Sequence, residues 1–453
     1  MANASEYWNP KNETLGREDL RRLQHLKLTR LCEWAYARSA FHRRRWDAAK
    51  FHPDQLRTLD DLRRIPFMTR ADWMEAQAEQ PPFGPLLAVP PEHAIRYHTT
   101  SGTTGRTPLR VLDGTKDWEW ISEMWAYGLW AFGLRQTDIV LFAFSYGTFI
   151  GFWGAHYACE KIGCLVLSTG SATTESRVKS ILDMGVTTVC STPTYALRMW
   201  QGATEMGIDL ARDSRVDKVI VSGEPAGSIP AVKRQLEAAW GARVGDTAGM
   251  TEIGSIMIFE CRRQPGGTHI IEDHFIEETL EYDGERAVPY GERAERVVTS
   301  FGRGFIPLIR YRTNDLVVRI PHSACECGRT GDIYQGGIQG RWDDMKLVRG
   351  TNVYPRAIES IVRECAAVDE FQILLTREGV TDEISVLVEL KPGRENHWPA
   401  LRQRLLVDLP DAHEGLRFNV VQAAPSSLPR FELKARRLVD KRPIADYLAG
   451  GEP

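Results

Sequence analysis

The stretch Thr99–Pro108 concentrates groups that could hold the oxygens of a phosphate. Its sequence, TTSGTTGRTP, carries six hydroxyl residues and two glycines between Thr99 and Thr107. Glycines let successive backbone N–H groups approach one ligand, and the hydroxyls add rotatable donors. The pattern predicts an anion-binding loop, with a polar surface loop as the alternative, and it is not a Walker loop because no Gly-Lys-Ser/Thr follows. The predicted contact residues are Ser101, Gly102, Thr103, Thr104 and Gly105.

A second group of oxygen-bearing side chains follows a predicted strand that begins at Arg243. Asp246, Thr247 and Ala248 lead through a glycine to Thr251 and Glu252. The end of a strand would present a hydroxyl and a carboxylate together, and carboxylate oxygens are good ligands for Mg²⁺. The segment predicts a magnesium or carboxylate-activation site, with an ordinary turn in which Thr251 caps a helix as the alternative.

Four residues have the types and spacing of a closed zinc site. Cys325 and Cys327 form a Cys-x-Cys turn, and Cys261 and His269 lie eight residues apart upstream. Three thiolates and one imidazole would complete a tetrahedral structural site. Buried free thiols are the alternative, and His322 is the alternative fourth ligand.

Aromatic residues cluster just before a small-residue turn. They are Tyr146, Phe149, Phe152 and Trp153, followed by Gly154 and Ala155. Aromatic walls and a glycine turn would suit a flat ring, and Ala155 would set the depth of such a pocket. Aromatic residues within an apolar run are more often part of a core, which is the alternative.

Alternating strands and helices must position these groups. Between about residues 115 and 260, apolar runs alternate with helical patterns, which predicts a parallel sheet covered by helices. The predicted strands are 139–144, 165–167, 187–190, 218–221 and 243–246, and the predicted helices are 118–132, 175–184 and 229–240. Thr192 and the turn Ser222-Gly223-Glu224-Pro225 follow two of these strands, at the end where ligands bind in such sheets.

The remainder of the chain has a different pattern. Residues 262–340 carry short alternating runs typical of antiparallel strands, which predicts a barrel-like portion. After Gly340, helices at 354–364 and 398–407 and strands at 370–375 and 383–390 predict a compact α+β unit. We therefore predict an α/β fold with domains at 1–340 and 341–453.

Composition excludes several classes of protein. The 57 Lys and Arg against 60 Asp and Glu give a net charge of −3, so no basic excess indicates nucleic acid or a membrane surface as a partner. The run from Ile139 to Ala158 lacks charges but contains three glycines and a histidine, which favours a buried strand and helix over a membrane span. The N-terminus has no secretory signal pattern, which predicts a cytoplasmic protein with reduced thiols.

Five motifs in one order resemble those of the adenylate-forming enzymes. They are the loop at 99–108, Gly249-Met250-Thr251-Glu252, Tyr311-Arg312-Thr313-Asn314-Asp315, the segment from Gly340 to Pro355, and the segment from Pro429 to Arg437. The resemblance implies that Asp315 and Arg341 contact the ribose, Asp343 is a hinge, Gly350 lies at the channel for CoA and Lys434 serves adenylation. Asn314 and Leu433 stand where the family has glycine, but Asn tolerates the left-handed conformation better than most residues.

Further segments resemble the phenylacetate-CoA ligase branch. These are Tyr7-Trp8-Asn9-Pro10, Gly154-Ala155-His156-Tyr157, Glu224-Pro225, Glu260-Cys261 and the stretch from His269 to Phe275. The resemblance implies an enzyme that activates an aromatic carboxylate with ATP and Mg²⁺ and transfers it to CoA, releasing AMP and pyrophosphate. It also implies bound zinc and a homodimer. A carrier-protein thiol as acceptor, or a nucleotide-binding protein without turnover, are the competing hypotheses.

Overall fold

The computed structural model describes residues 5–100, 108–254, 256–378, 381–431 and 435–442. Two compact units are distinguished by their internal contacts. One comprises Met1–Ser228 and Leu236–Gln339, and the other comprises Ile229–Gln235 and Gly340–Pro453.

Helices and strands alternate through the first half of the chain. The α-helices are α1 (Pro10–Glu13), α2 (Arg17–Arg38), α3 (Ala40–Ala48), α4 (Arg70–Glu79), α5 (Thr115–Phe132), α6 (Gly151–Ile162), α7 (Thr174–Asp183), α8 (Pro193–Glu205), α9 (Leu210–Asp213), α10 (Pro230–Trp240), α11 (Pro355–Arg363) and α12 (Trp398–Asp411). Short 3₁₀ turns lie at Pro53–Gln55, Leu59–Arg64, Pro91–His93, Pro225–Ser228, His322–Ala324, Trp342–Asp344 and Glu395–His397.

Most strands are short. They are β1 (Arg96–Thr99), β2 (Arg110–Asp113), β3 (Ile139–Phe142), β4 (Leu165–Ser168), β5 (Thr188–Ser191), β6 (Lys218–Val221), β7 (Arg243–Gly249), β8 (Ile256–Phe259), β9 (Gly267–Ile270), β10 (Phe275–Leu280), β11 (Arg293–Ser300), β12 (Leu308–Ile320), β13 (Ile333–Gln335), β14 (Gly340–Arg341), β15 (Lys346–Val348), β16 (Thr351–Val353), β17 (Val368–Glu378), β18 (Thr381–Leu390), β19 (Asn419–Gln422) and β20 (Leu438–Asp440).

The main sheet of the first unit is half parallel and half antiparallel. Its strands follow the order β10-β11-β12-β13-β9-β8-β7-β6-β5-β3-β4. Strands β3 to β7 pair in parallel, whereas β8 to β13 pair antiparallel. The predicted α/β fold, with a parallel sheet covered by helices and an antiparallel portion, is confirmed.

Strand β7 joins the two halves of this sheet. Residues Arg243 to Asp246 pair in parallel with β6, and Thr247 to Gly249 pair antiparallel with β8. The strand therefore runs three residues beyond the predicted 243–246, because β8 provides a partner for the backbone there. Thr247 and Ala248 lie on a strand, and the turn begins at Met250.

Two helices cover the parallel strands, α5 with most of its residues buried and α6 with half of them buried. Helix α5 ends at Gly133 with φ of 113°, and α6 ends at Gly163 with φ of 98°, both left-handed caps that favour glycine. The uncharged run at 139–158 forms β3, a connection and α6. None of the helices in the described ranges has the length and apolar character needed to cross a membrane.

The second unit has its own small core. Its sheet follows the order β19-β18-β17-β20, and the predicted strands and helices of this region are present. Helices α11 and α12 pack on the sheet through buried residues including Ile358, Val362, Leu401 and Leu405. The unit is thus an α+β structure.

Candidate active site

Neighbouring parallel strands end at one edge of the main sheet and carry polar residues there. Strands β5, β6 and β7 are adjacent, so their carboxyl ends share that edge. The Ser222 N–H donates to the Ser191 carbonyl at 3.2 Å, and the Thr247 hydroxyl donates to the Val221 carbonyl at 3.1 Å. Ser222 and Thr247 are thus brought together at the edge where α/β proteins bind ligands.

The turn after β6 lies directly over Asp246. Gly223 has φ of 93°, and the Thr194 hydroxyl donates to Glu224 Oε2 at 2.6 Å. Pro225 opens the 3₁₀ turn Pro225–Ser228, in which a Cβ on Gly227 would lie 2.6 Å from Asp246 Oδ1. The glycine therefore allows backbone to approach the buried Asp246 carboxylate.

A buried arginine holds the turn that carries Thr251 and Glu252. The Arg303 guanidinium pairs with Asp113 through Nε and Nη2, at 2.7 and 2.9 Å. Its Nη1 donates to the carbonyls of Thr251 and Glu252 at 2.8 and 3.0 Å. Gly254 adopts φ of 91°, and a Cβ there would lie 2.9 Å from Arg303 Cζ, so the turn closes tightly on the guanidinium.

The Glu252 carboxylate is connected to the flank of the predicted phosphate loop. Arg70 Nη1 donates to Glu252 Oε1 at 2.7 Å, and Arg70 Nη2 donates to Thr100 Oγ1 at 3.3 Å. The Thr100 N–H donates to the Leu109 carbonyl at 3.1 Å, which pins the two ends of the loop together. The predicted contact residues Ser101, Gly102, Thr103, Thr104 and Gly105 lie outside the described residues.

Asp315 lies within a strand, at a bulge. The pairing of β12 with β11 shifts between Glu295 and Val297, and Asn314 has φ of 60°. Asn314 therefore adopts the left-handed conformation that the family's glycine would favour. Asp315 is buried, and its Oδ2 lies 3.6 Å from Nη1 of Arg296.

The predicted aromatic pocket divides into two groups. Phe152, Gly154 and Ala155 face the core, and a Cβ on Gly154 would lie 2.5 Å from Trp125 Cδ1. Tyr146 and Trp153 are only partly buried, and Phe149 is 37% exposed. The close approach at Gly154 thus serves the packing of α6 on α5. The residues open to a ligand are Tyr146, Phe149 and Trp153.

The Tyr146 hydroxyl belongs to a chain of titratable side chains. It lies 2.8 Å from His156 Nδ1, and His156 Nε2 lies 3.2 Å from Glu160 Oε1. Burial raises the pKa of the Tyr146 phenol to about 12, so the hydroxyl is protonated at neutral pH. Since the Glu160 carboxylate accepts from Nε2–H, His156 Nδ1 is the acceptor for the Tyr146 O–H.

Four predicted residues fall in or beside the second unit. Arg341 is partly buried on β14, and Asp343 is within the 3₁₀ turn Trp342–Asp344. Gly350 is exposed in the two-residue turn between β15 and β16, where φ is 50° at Arg349 and 85° at Gly350. Two positive φ values in such a hairpin are typical of a type I′ turn. Lys434 lies outside the described residues.

The four predicted metal ligands do come together, away from the parallel edge. Ligand atoms of Cys261, His269, Cys325 and Cys327 all lie within 4.8 Å of one another, and all four residues are buried. The sulfurs of Cys261 and Cys325 are 3.7 Å apart. A tetrahedral zinc site with bonds of about 2.3 Å requires sulfur separations of about 3.8 Å, so the donor set fits zinc.

The imidazole of this cluster is oriented for a metal. Nδ1 of His269 lies 3.5 Å from the Gly331 carbonyl, and Nε2 lies 3.4 Å from the Cys327 sulfur. A carbonyl on one ring nitrogen is the usual support for a ligand that binds through the other. His322 instead lies beside Asp332, with Nδ1 3.6 Å from a carboxylate oxygen, so the geometry favours His269 over His322 as fourth ligand.

The sequence alone does not indicate Arg70, Arg303 or His156 as site residues. Arg70 and Glu252 are 182 positions apart, and Arg303 and Asp113 are 190 apart. No local spacing signals a contact of that range. In the sequence, His156 is part of a family motif and the histidine of the uncharged run 139–158, and its i,i+4 relation to Glu160 is a local signal of their contact.

Comparison with known proteins agrees with this arrangement. The family model described as AMP-binding enzyme matches residues 38–273, and that described as AMP-binding enzyme C-terminal domain matches residues 350–442. A phenylacetate-coenzyme A ligase of Thermus thermophilus is 34% identical over 454 residues, which cover 96% of this chain and 99% of that protein. One from Escherichia coli is 32% identical, covering 95% and 97%.

Solved structures show the same fold. The crystal structure of 2-hydroxyisobutyryl-CoA ligase in the postadenylation state, with 2-HIB-AMP, gives a TM-score of 0.91 at 30% identity. It covers 97% of this chain and 93% of that one. The anthranilate CoA ligase AuaEII, at 20% identity and a TM-score of 0.58 over 78% of this chain and 67% of that one, shares the fold. The chain therefore belongs to the adenylate-forming, AMP-binding enzymes and is an AMP-forming acid-thiol ligase that uses ATP and CoA.

Proposed function

We propose that the enzyme activates an aromatic, phenylacetate-like carboxylate and transfers it to coenzyme A. The reaction joins the acid to AMP with release of pyrophosphate, and CoA then displaces AMP. The observation that carries the aromatic substrate is the position of Tyr146, Phe149 and Trp153. The ring centroids of Tyr146 and Trp153 are 4.7 Å apart in an edge-to-face contact, and such rings favour an aromatic guest.

The aromatic group lies beside the start of the phosphate loop. The Thr99 N–H donates to the Thr148 carbonyl at 2.9 Å, and the hydroxyls of these two residues are 3.0 Å apart. Thr148 stands between Tyr146 and Phe149, so these contacts tie the aromatic segment to the strand that leads into the loop. An acid whose ring contacts the aromatic group could place its carboxylate near a phosphate held by the loop.

In the first half-reaction, the carboxylate attacks the α-phosphate of ATP and pyrophosphate leaves. Glu252 would hold Mg²⁺ together with the phosphates, and the ion would neutralise their charge. Arg70 keeps the Glu252 carboxylate at the flank of the loop, while Asp315 and Arg341 would accept and orient the ribose. Lys434 would add a positive charge at the reacting oxygens.

In the second half-reaction, the CoA thiol displaces AMP from the acyl-adenylate. We propose that the C-terminal domain, residues 341–453, turns about Asp343 between the two steps and brings Gly350 to the CoA channel. Two steps with different reactants explain why Lys434 would lie on a domain that moves. A homodimer in the cytoplasm completes the proposal.

We also propose that the buried cluster holds one structural Zn²⁺. Cys261, His269, Cys325 and Cys327 use all four positions of a tetrahedron, which leaves none for a substrate. The ion would cross-link the loop after β8, strand β9 and the loop between β12 and β13. The cluster would therefore stabilise the antiparallel half of the sheet without taking part in turnover.

A 2-hydroxy acid is a second candidate substrate, favoured by the contacts of Tyr146. Because its O–H donates to His156 Nδ1, the phenol oxygen presents only lone pairs to a ligand. It would thus prefer a substrate that donates a hydrogen bond. The 2-hydroxyisobutyryl-CoA ligase that shares this fold acts on an acid of that kind by its name.

Two matched pairs of acids separate the two candidate substrates. Phenylacetate and mandelate differ by one 2-hydroxyl, and 2-hydroxyisobutyrate and isobutyrate differ in the same way. We expect kcat/KM for phenylacetate to exceed that for both aliphatic acids. A preference for mandelate over phenylacetate that disappears in Tyr146→Phe would assign the second candidate, since a group built to bond a hydroxyl discriminates strongly.

The class of acceptor is tested with the same protein. ATP–pyrophosphate exchange that depends on the acid, followed by thioester formation with free CoA, is the expected result. Exchange without transfer to CoA would favour a carrier-protein thiol as acceptor. No exchange with any acid would favour a nucleotide-binding protein without turnover.

A further inference from the structure

A cleft at the amino end of β7, where Arg243 begins the strand, is lined by three arginines. It has a volume of about 360 Å³ and is bordered by Arg243, Arg262, Arg263 and Glu6. Within the described ranges, none of the three guanidinium groups makes an ion pair or a side-chain hydrogen bond. The cleft is lined by three positive charges and one carboxylate. Its concave surface therefore has a net charge of about +2.

The arginines are held in place by their backbones. Arg243 is the first residue of β7, and its guanidinium lies 5.3 Å from the centroid of the Phe132 ring. The Arg262 N–H donates to the Ala131 carbonyl at 3.0 Å, at the end of α5. The side chain of Gln264 donates to the Val244 carbonyl at 2.8 Å, which ties the 261–264 turn to β7. The floor of the cleft is therefore built by β7, α5 and the turn that carries Cys261.

The positive charges are crowded beyond the cleft itself. Burial, followed by the charge of Arg262, lowers the pKa of Arg135. Arg135 Nη1 donates to the Trp130 and Leu134 carbonyls, so it lies at the same end of α5. The field at this end of the helix therefore favours an anion, which a helix C-terminus alone would not.

The cleft is separate from the adenylation site. Arg243 begins β7, and Thr247, four residues further along the strand, lies with the polar residues of the parallel edge. At a rise of about 3.3 Å per residue, Thr247 lies about 13 Å along the strand from Arg243. A ligand in the cleft and a ligand at the parallel edge would therefore lie at opposite ends of the parallel part of β7.

We propose that this cleft is a binding site for a small phosphate-bearing dianion, such as pyrophosphate or a phosphate monoester. Guanidinium groups present paired N–H donors that match phosphate oxygens, and three of them can surround one phosphate. The volume is at the low end of small-molecule sites, which suits a compact ligand over an extended one. The ligand supplies the missing counter-charges.

The Glu6 carboxylate would compete with that ligand for the guanidinium groups. The Glu6 carbonyl accepts from Arg329 Nη2 at 2.8 Å, and the neighbouring Ser5 carbonyl accepts from Trp130 Nε1 at 2.9 Å. Its backbone is thus fixed at the rim, and its carboxylate stays beside the guanidinium groups. Removing this negative charge should strengthen the binding of an anion, whereas removing the positive charges should weaken it.

Calorimetric titration tests the site in the full-length enzyme. A non-hydrolysable acyl-sulfamoyl-adenosine first saturates the adenylation site, and pyrophosphate is then added at constant ionic strength. We expect one pyrophosphate per chain. The double variant Arg262→Gln/Arg263→Gln should weaken binding at least tenfold, and Glu6→Gln should strengthen it severalfold. Titrations with inorganic phosphate and with AMP identify the preferred source of phosphate.

Two controls test whether a loss of binding is specific to the cleft and does not come from unfolding. Arg22→Gln, which removes an exposed arginine of α2 that pairs with Glu18, should leave binding unchanged. Thermal unfolding and metal content of the double variant should match those of the wild type. Unchanged affinity in the double variant, weaker binding in Glu6→Gln, or no saturable binding of any phosphate would overturn the proposal. The proposal would also be overturned if an acidic protein bound to the cleft and no phosphate compound did.

Discussion

At the scale of single residues, Arg303 shows how one buried charge can set the geometry of a site. Both Arg303 and Asp113 have side chains that are 0% exposed. The guanidinium satisfies Asp113 with two of its donors and uses a third on the backbone of Thr251 and Glu252. The position of the Glu252 carboxylate thus depends on a residue whose side chain is fully buried.

Replacing Arg303 should destabilise the fold strongly. Arg303→Gln leaves the Asp113 carboxylate buried without a cation, and such unpaired charges cost about 3–5 kcal/mol of unfolding free energy. Chemical denaturation measures the loss. Arg212→Gln, which removes an exposed ion pair with Asp213, should change stability far less. Equal effects of the two variants would contradict the role given to Arg303.

Lys434 should be needed for one half-reaction only. Lys434→Ala should abolish formation of the acyl-adenylate, because the positive charge at the α-phosphate is lost. Thioester formation from a supplied acyl-adenylate should remain largely intact. The measurement is ATP–pyrophosphate exchange beside single-turnover transfer to CoA. Equal loss of both activities would show that Lys434 has another role.

At the scale of elements, the packing of α6 on α5 restrains the aromatic segment. Ala155 is fully buried, and Gly154 has the Trp125 ring and Ile121 against it. The sequence predicts that Ala155 limits the depth of a substrate pocket, so that Ala155→Leu would reject longer acids. The buried position of Ala155 indicates that a leucine would also overpack the core.

Gly154→Ala separates packing from recognition. A Cβ at this position would lie 2.5 Å from Trp125 Cδ1, so α6 must shift or the ring must turn. We expect a loss of about 1–3 kcal/mol of unfolding free energy, with the ranking of acids by kcat/KM unchanged. Gly147→Ala is the matched control, because its Cβ would have nothing within 4 Å. A changed ranking with unchanged stability would place Gly154 at the ligand.

Local sequence patterns predict most helices and strands. They do not predict contacts between residues that are far apart in the chain. Apolar runs gave the strands β3 to β6 because buried parallel strands are short and continuous in hydrophobic residues. For β7, the apolar pattern predicts a strand that ends at Asp246. The extension to Gly249 depends on pairing with β8, which the local pattern does not contain. The links from Arg70 to Glu252 and from Arg303 to Asp113 join distant parts of the chain. The cysteine cluster was found because its residue types are rare, whereas the roles of the site residues stay predictions.

At the scale of the whole molecule, buried histidines make stability depend on pH, and His42 is one of them. His42 is buried, and its Nε2 lies 2.9 Å from the Pro307 carbonyl. Burial lowers the pKa of His42 from 6.5 to about 4, so the folded protein keeps this ring neutral. The unfolded chain binds the proton more readily, and stability is therefore lost as pH falls from about 6.5 toward 4.

His42→Gln should reduce that dependence. Glutamine can keep the hydrogen bond to Pro307 but cannot titrate. Between pH 7 and pH 5, the wild type should lose about 2 kcal/mol more unfolding free energy than the variant. Denaturant titrations at the two pH values give the difference. Parallel losses in both proteins would show that His42 does not contribute.

The cluster of Cys261, His269, Cys325 and Cys327 joins parts of the chain that are far apart in sequence. Cys261 and Cys325 are 64 residues apart, and the carbonyl of Cys327 accepts from the Tyr7 hydroxyl at 2.9 Å, across 320 positions. The buried pair of Arg329 and Glu13 holds the same N-terminal segment at 2.7 Å. Loss of a bound ion should therefore loosen the antiparallel strands and the N-terminal segment together.

Removing one ligand should affect stability more than catalysis. We expect one zinc per chain in the purified enzyme, and less in Cys325→Ser, because three ligands bind more weakly than four. Because a structural site contributes folding energy, the variant should unfold at a lower temperature and exchange amide hydrogens faster at residues 5–16. Turnover per folded molecule should fall little. Cys365→Ser, outside the cluster, should keep both the zinc and the melting temperature. Substoichiometric zinc that Cys325→Ser leaves unchanged would show that the four residues are a buried thiol and imidazole cluster without a metal.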